Sequence, residues 1–182
     1  MSTAMRDLSS LVIALDPKAF KARKISGFLP ESSLQELARD ATVLEAAQVE
    51  VTLQLDKERW YVSGQVSSKV EVKCSRCLDP FAMELVVPVD REYVVGPDVG
   101  RRMGEVEVIE ELVYLEDGQF SVLRMAEEEL IISLPMIPLC REDCAGLCPG
   151  CGAELNREPC RCEVKTDDSP FSILKGRVSG KQ

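Results

Sequence analysis

The sequence predicts an α+β, β-rich fold: an antiparallel meander or barrel-like sheet with two or three helices and a C-terminal cysteine-knuckle segment. Three observations predict it. From Gln48 onward, apolar and polar residues alternate with a period of two, interrupted by a turn at residues 56–59, as half-buried antiparallel strands require. Residues 30–46 and 122–134 instead space their apolar positions at three and four residues, the period of an amphipathic helix. Six of the eight cysteines lie within residues 140–162, CREDCAGLCPGCGAELNREPCRC, and the other two form a tight upstream pair, Cys74-Ser75-Arg76-Cys77.

At 182 residues the chain suits one domain, or one domain with a small appended module. We place a β-rich domain at residues 1–139, a cysteine-rich segment at 140–165 and a polar, mobile tail at 166–182. A chain of this length buries roughly two thirds of its unfolded surface, so it does not depend on disulfides to fold. Its only early apolar run is the five residues 11–15, stopped by Asp16-Pro17. That is too short for a signal-peptide core, and no stretch approaches a membrane span. A cytoplasmic location follows as an expectation, and there clustered cysteines hold metal more often than they pair with one another.

Residues 8–15 read as a first strand ended by Asp16-Pro17. Residues 30–46 read as a helix, capped by Ser32 or Ser33, with Leu34, Leu37, Ala38, Ala41 and Leu44 on one stripe. Val49, Val51, Leu53 and Leu55 alternate into the turn, and Trp60, Val62, Gly64 and Val66 return from it. Residues 69–73 alternate straight into Cys74, and residues 81–89 leave the knuckle as another strand. The result is a meander with the CxxC at one of its turns. Residues 96–104 read as a loop, and 106–109 and 112–115 as short strands before Asp117-Gly118. In the last helix Val122, Leu123, Ala126, Leu130 and Ile131 share a stripe and Glu127 to Glu129 face out. Pro135 and Pro138 end it. The remaining tail is polar apart from residues 170–174.

The net charge of −9 excludes a nucleic-acid binder working by broad phosphate neutralisation. Basic residues are nonetheless grouped. Arg6, Lys18, Lys21, Arg23 and Lys24 lie in the first thirty residues, and Lys57, Arg59, Lys69, Lys73 and Arg76 lead into the CxxC. Residues 105–129 hold nine acidic residues against Arg124 alone. One reading of these runs is a solvated surface. The other is a basic patch around the first knuckle, with the acidic segment facing away or meeting a basic partner.

No histidine occurs, so nitrogen-ligand metal sites and histidine-based catalysis are excluded. Zinc held by four thiolates needs sulfurs about 2.3 Å from the ion, delivered in pairs on tight turns. Cys148-Pro149-Gly150-Cys151-Gly152 has the proline and glycines of such a turn. Loop-closure cost favours near neighbours, so Cys148, Cys151, Cys160 and Cys162 are expected to form one site. Cys74, Cys77, Cys140 and Cys144 are then left to form the other. A rival partition pairs Cys74 and Cys77 with Cys148 and Cys151. Two such zinc sites would bring the net charge to about −13, so any RNA contact must be local or come through a protein. Sites closed by four cysteines leave no open coordination position and are structural. A redox role for Cys74 and Cys77 is disfavoured because the pair lies between alternating strands rather than opening a helix. Iron–sulfur spacings are absent. So are phosphate loops, GxGxxG and GxSxG motifs, and the chain is expected not to be an enzyme. Trp60 and Tyr61 sit near Lys57 and Arg59, where an aromatic could stack on a base, but Trp60 reads as core.

The motifs VKCSRCLDPF (residues 72–81), LPMIPLC (134–140) and CREDCAGLCPGCGAELNREPCRC (140–162) resemble the YceD family, the large-ribosomal-RNA-subunit accumulation proteins of bacteria and plastids. The one departure in the first motif is Lys73 before the cysteine. The resemblance covers most of the chain. It implies a non-catalytic role in synthesis, processing or stability of 23S rRNA and in large-subunit assembly, with 23S rRNA or the pre-ribosomal subunit as partner, directly or through a ribosomal protein. It also implies separable cysteine sites, since the C-terminal cluster varies across the family. It supplies no RNA-binding residues. The alternative function is a zinc-stabilised protein–protein adaptor docking a basic partner such as a ribosomal protein. Neither reading involves a membrane or a small-molecule substrate.

Overall fold

Alternation at a period of two has one outcome when a face can be buried, and the long central hairpin shows it. The computed structural model of the chain describes residues 6–96 and 112–162. Strands β3 (Thr42–Asp56) and β4 (Arg59–Lys73) pair antiparallel and are joined at Lys57, which takes a left-handed φ of 57° in the tight turn. β5 (Pro80–Val95) returns along β4, and β2 (Ala22–Leu29) flanks β3 on the other side. β6 (Leu112–Leu115) adds to the end of β5 in parallel, giving the five-strand order β2-β3-β4-β5-β6. The meander is thus as expected, but it ends in β2 and β6 at opposite edges and does not close into a barrel.

One face of this sheet is buried and the other is open. Val49, Val51 and Leu53 of β3, Trp60, Val62, Val66 and Val70 of β4, and Leu85, Val89 and Tyr93 of β5 point inward. Glu50, Gln54, Ser63, Gln65, Glu84 and Asp90 face solvent. Where β3 carries extra residues between Val43 and Gln48, the ladder bulges, and the buried Ser68 hydroxyl donates to the carbonyl of Glu45 at 3.0 Å. Gly64 is obligatory in β4: its φ is 152°, and a Cβ there would lie 2.1 Å from the Glu50 carbonyl oxygen.

Over the inner face lie a small antiparallel pair, β1 (Val12–Ala14) with β7 (Gln119–Ser121), and helix α1 (Val122–Ser133). Ser121 caps the helix, its hydroxyl accepting from the Arg124 amide. Val122, Met125, Ala126 and Leu130 are buried, and Phe120 meets Tyr93 edge-on at 5.2 Å.

Several expectations are corrected. The first strand is shorter than residues 8–15: Leu8 and Leu11 bracket a turn, and Leu8 packs beside Gly27 of β2 instead. Residues 30–46 do not form a helix. They make two 3₁₀ turns, Glu31–Ser33 and Leu37–Arg39, and enter β3 at Thr42. Leu34, Leu37 and Ala41 are buried as the stripe demanded, but β-branched Thr42 and Val43 pair with Glu71 and Val70, so lateral hydrogen bonds displace helical ones. α1 is therefore the one α-helix among the described residues, where two or three were expected.

The three glutamates of α1 do not all face out. Glu127 is buried, and its carboxylate accepts from the amides of Glu36 (2.6 Å) and Leu37 (3.2 Å), where the second 3₁₀ turn begins with unpaired N–H groups. Glu128 and Glu129 hold Arg91, which sits on the inner face of β5. A helix turns about 100° per residue, so three successive side chains cannot share one face. The predicted loop at 96–104 (beyond Gly96), the strand at 106–109 and the tail at 166–182 with its apolar spot at 170–174 lie outside the described residues, as does part of the acidic run at 105–129. No helix among the described residues is long and apolar enough to cross a membrane.

Candidate metal centres

The turn between β4 and β5 is the CxxC. It closes with the Leu78 amide donating to the Cys74 carbonyl and the Cys74 amide to the Asp79 carbonyl, both at 2.9 Å, and Leu78 takes a φ of 64° to make the return. After α1, Pro135 and Pro138 keep the chain from continuing as helix, and the Pro138 carbonyl accepts from the Ser75 amide at 2.8 Å. That contact delivers Cys140 and Cys144 to the knuckle. The sulfurs of Cys74 and Cys144 are 3.8 Å apart, as are those of Cys77 and Cys140. Cys74, Cys77 and Cys144 are buried, with Phe81 and Leu139 packed against them.

The chain then folds back over the same knuckle. Arg76 donates to the carbonyls of Glu142 (3.1 Å) and Cys144 (2.9 Å), and the Leu147 amide donates to the Arg76 carbonyl. Gly146, at φ 75°, passes so close that a Cβ would lie 3.0 Å from that carbonyl oxygen. A miniature antiparallel bridge, Leu147 to Glu154, and the bond from the Cys148 amide to the Ala153 carbonyl (2.8 Å) shape the second CxxC. Cys160 and Cys162 swing in to it. The Cys148 sulfur is 3.3 Å from that of Cys160 and 3.5 Å from that of Cys162, and Cys151 and Cys160 are 4.0 Å apart. Cys148 is buried, whereas Cys151, Cys160 and Cys162 are exposed.

All eight cysteines are thus gathered into Cys74, Cys77, Cys140, Cys144 and Cys148, Cys151, Cys160, Cys162, with the sulfurs of each set within 4.8 Å of one another. The rival partition, with the two CxxC pairs sharing one site, is not what the fold brings together. The residues fit a tetrahedral metal ion. Sulfurs about 2.3 Å from a zinc ion stand about 3.8 Å from one another, and the first set matches that spacing.

The electrostatics agree. Backbone amides of Cys140, Cys77 and Arg76 hold the Cys74 thiol down to about 6, and those of Cys151 and Gly150 do the same for Cys148. The side-chain amide of Asn156 lowers Cys144. Burial pushes Cys140 up to about 12, and the neighbouring sulfur of Cys160 does the same to Cys162. Four sulfurs in one place cannot all ionise without a countercharge, which a divalent cation provides. With four ligands each, both sets leave no open position for a substrate.

Asn156 and Arg76 are the supporting residues that sequence reasoning passed over. Arg76 was visible as a basic residue inside the CxxC, but nothing in the sequence showed that it would anchor the second cysteine segment.

The family described as large ribosomal RNA subunit accumulation protein YceD matches residues 62–176, a span that begins in β4 and includes both cysteine sets. The chain belongs to the YceD family. A YceD protein described as a large ribosomal RNA subunit accumulation protein, from Haemophilus influenzae, is 24% identical over 177 residues, covering 94% of this chain and 90% of that protein. Uncharacterized proteins of Mycobacterium bovis and Mycobacterium tuberculosis are 32% identical over 98 residues, covering 54% of this chain and 46% of each of theirs. No solved structure matches the chain. This member of the YceD family thus carries eight cysteines gathered as two four-sulfur sets.

Proposed function

We propose that this chain is a non-enzymatic, zinc-stabilised factor in the synthesis, processing or stability of 23S rRNA, and so in assembly of the large ribosomal subunit in the cytoplasm. Family membership across residues 62–176 carries the reading. The two four-sulfur sets support its non-catalytic part, because each consumes all its ligands in closure and the first ties distant segments together. The test is depletion of the protein in its own host, followed by measurement of 23S rRNA precursors and of large-subunit levels. Accumulated precursors with fewer large subunits are expected; unchanged levels of both sink the reading.

A second reading, an adaptor docking a basic partner such as a ribosomal protein, is favoured by one observation. Beside the first cysteine set, Leu78, Met136 and Ile137 expose 60%, 100% and 69% of their surface, next to a cleft of about 630 Å³ lined by Val72, Pro80, Ile131 and Leu134. The acidic residues of α1 do not support it, since Glu127 is buried and Glu128 and Glu129 are engaged by Arg91. Recovery of a basic protein but no rRNA after nuclease treatment would favour the adaptor.

A further inference from the structure

The structure redistributes the charges of the sequence along the axis of the sheet. β4 runs from Arg59 to Lys73, a length of about 45 Å at roughly 3.3 Å per residue. The basic run leading into the CxxC is therefore not one patch: Lys57 and Arg59 stand at the end opposite Cys74. Near the cysteines the arginines are occupied. Arg157 pairs with Asp79 and Glu154, Arg161 with Glu158 and Arg141 with Asp143, and Arg76 donates to backbone carbonyls. Each filled four-thiolate site would add about two negative charges there.

At the far end the start of β2 meets the β3–β4 turn. Phe20 packs against Trp60 with the rings tilted and their centroids 4.9 Å apart, the Leu55 amide donates to the Lys21 carbonyl at 2.7 Å, and Arg23 and Lys24 lie opposite Leu53 and Thr52. Lys18, Lys21, Arg23, Lys24 and Lys57 are all exposed there, and among the described residues none of the five forms a salt bridge. The acids at this end are Asp16, Asp56 and Glu58 beside these cations, and Glu92, Glu116 and Asp117 toward β6; Asp16 receives the Lys18 backbone amide, Glu92 pairs with Arg59, and Asp117 receives the Gln119 amide. Two segments distant in sequence thus converge to group five exposed cations on the β2–β3–β4 side of this end, the local contact that a chain of net charge −9 requires if it is to touch a polyanion.

We infer that the chain meets RNA with this end of the sheet, through Lys18, Lys21, Arg23, Lys24 and Lys57, and not with its cysteine centres. The inference rests on the ribosomal-RNA reading and names the surface that serves it. The contact is with phosphates, so it is sequence-tolerant and salt-sensitive, each contact to a single strand contributing about 0.7 to the slope of log affinity against log salt.

Filter binding of the zinc-loaded full chain to a 23S rRNA transcript, across a salt series, tests it. The triple variant Lys21→Glu, Lys24→Glu, Lys57→Glu is expected to lose at least tenfold in affinity and to flatten the salt slope by about 2. The triple to Gln, which adds no repulsion, should lose less while retaining wild-type circular dichroism and zinc content. It keeps the test valid if the first variant unfolds. Lys73→Glu with Arg161→Glu, at the cysteine end, should stay within twofold of wild type. Equal losses from both ends, or no binding by the wild type, overturn the inference. So does binding of an acidic peptide in place of RNA. Absent binding with 23S rRNA still falling on depletion removes this surface alone. Retained lysine-dependent binding with 23S rRNA unchanged on depletion removes the functional reading alone.

Discussion

The side-chain amide of Asn156 donates to the sulfur of Cys144 at 3.3 Å, although Asn156 lies within the loop that closes the other cysteine set. Its Oδ1 accepts from the Ala145 amide at 2.9 Å and from Arg141 at 2.6 Å. One residue between Cys151 and Cys160 therefore braces a ligand of the first centre. The two centres thus share a wall, with Arg157 reaching Asp79 across the same junction.

Asn156→Ala is expected to weaken metal at the first centre by roughly 10- to 100-fold, the usual cost of losing a group that braces a ligand. Competition against a chromophoric chelator resolves the two sites. Loss of affinity at the second centre alone would refute the bracing role.

Elemental analysis of reduced wild-type protein should give about two zinc per chain. Cys77→Ser and Cys151→Ser should each retain about one. Cys77 is buried and joins β5 to the segment after α1, so its loss should depress the melting temperature more than loss of the exposed Cys151. Loss of both ions from either single variant would contradict two distinct centres.

Glu127→Ala leaves the amides of Glu36 and Leu37 without their partner in a buried site. A cost of about 2–3 kcal/mol is expected, against about 1 kcal/mol for Glu127→Gln, which keeps an acceptor. Urea midpoints at unchanged m-value report the difference. Equal stability of the two variants would argue that the carboxylate is not bonded there.

Gly64→Ala forces a methyl against the Glu50 carbonyl across the ladder. The expected loss is about 2–4 kcal/mol, with the central hairpin opening first in amide exchange. A neutral outcome would mean that β3 and β4 separate at this pair.

Burial pushes the Tyr93 phenol up to about 12 from its ordinary 10. The fold thus favours the neutral form, and the stabilisation it contributes is fully present below pH 10 and lost as pH rises from 10 toward 12. Ultraviolet phenolate titration should show one of the three tyrosines ionising late, and Tyr93→Phe should remove that step and soften the alkaline loss of stability.

The hairpin of β3, β4 and β5 was legible because its cause is local: each strand carries its own buried face, and Lys57 and the CxxC mark the turns. The two cysteine sets were legible for a related reason, since ligand type and spacing are properties of the chain and loop closure ranks the ways of joining them. Residues 30–46 misled because their apolar spacing suits a helix as well as two 3₁₀ turns, and the choice was made by β4, which offers Thr42 and Val43 a ladder.

What sequence order could not reveal were relationships between segments far apart along the chain. The carboxylate of Glu127 is placed by amides some 90 residues upstream, and Asn156 by a cysteine of the neighbouring centre. Charge behaves likewise. Lys57 and Lys73 look like neighbours in one basic run, yet an extended strand carries them to opposite ends, while Lys21 and Lys57 are brought together by strand pairing. Local chemistry is written in residue types and short spacings; which groups face one another is set by the sheet that buries their backbones.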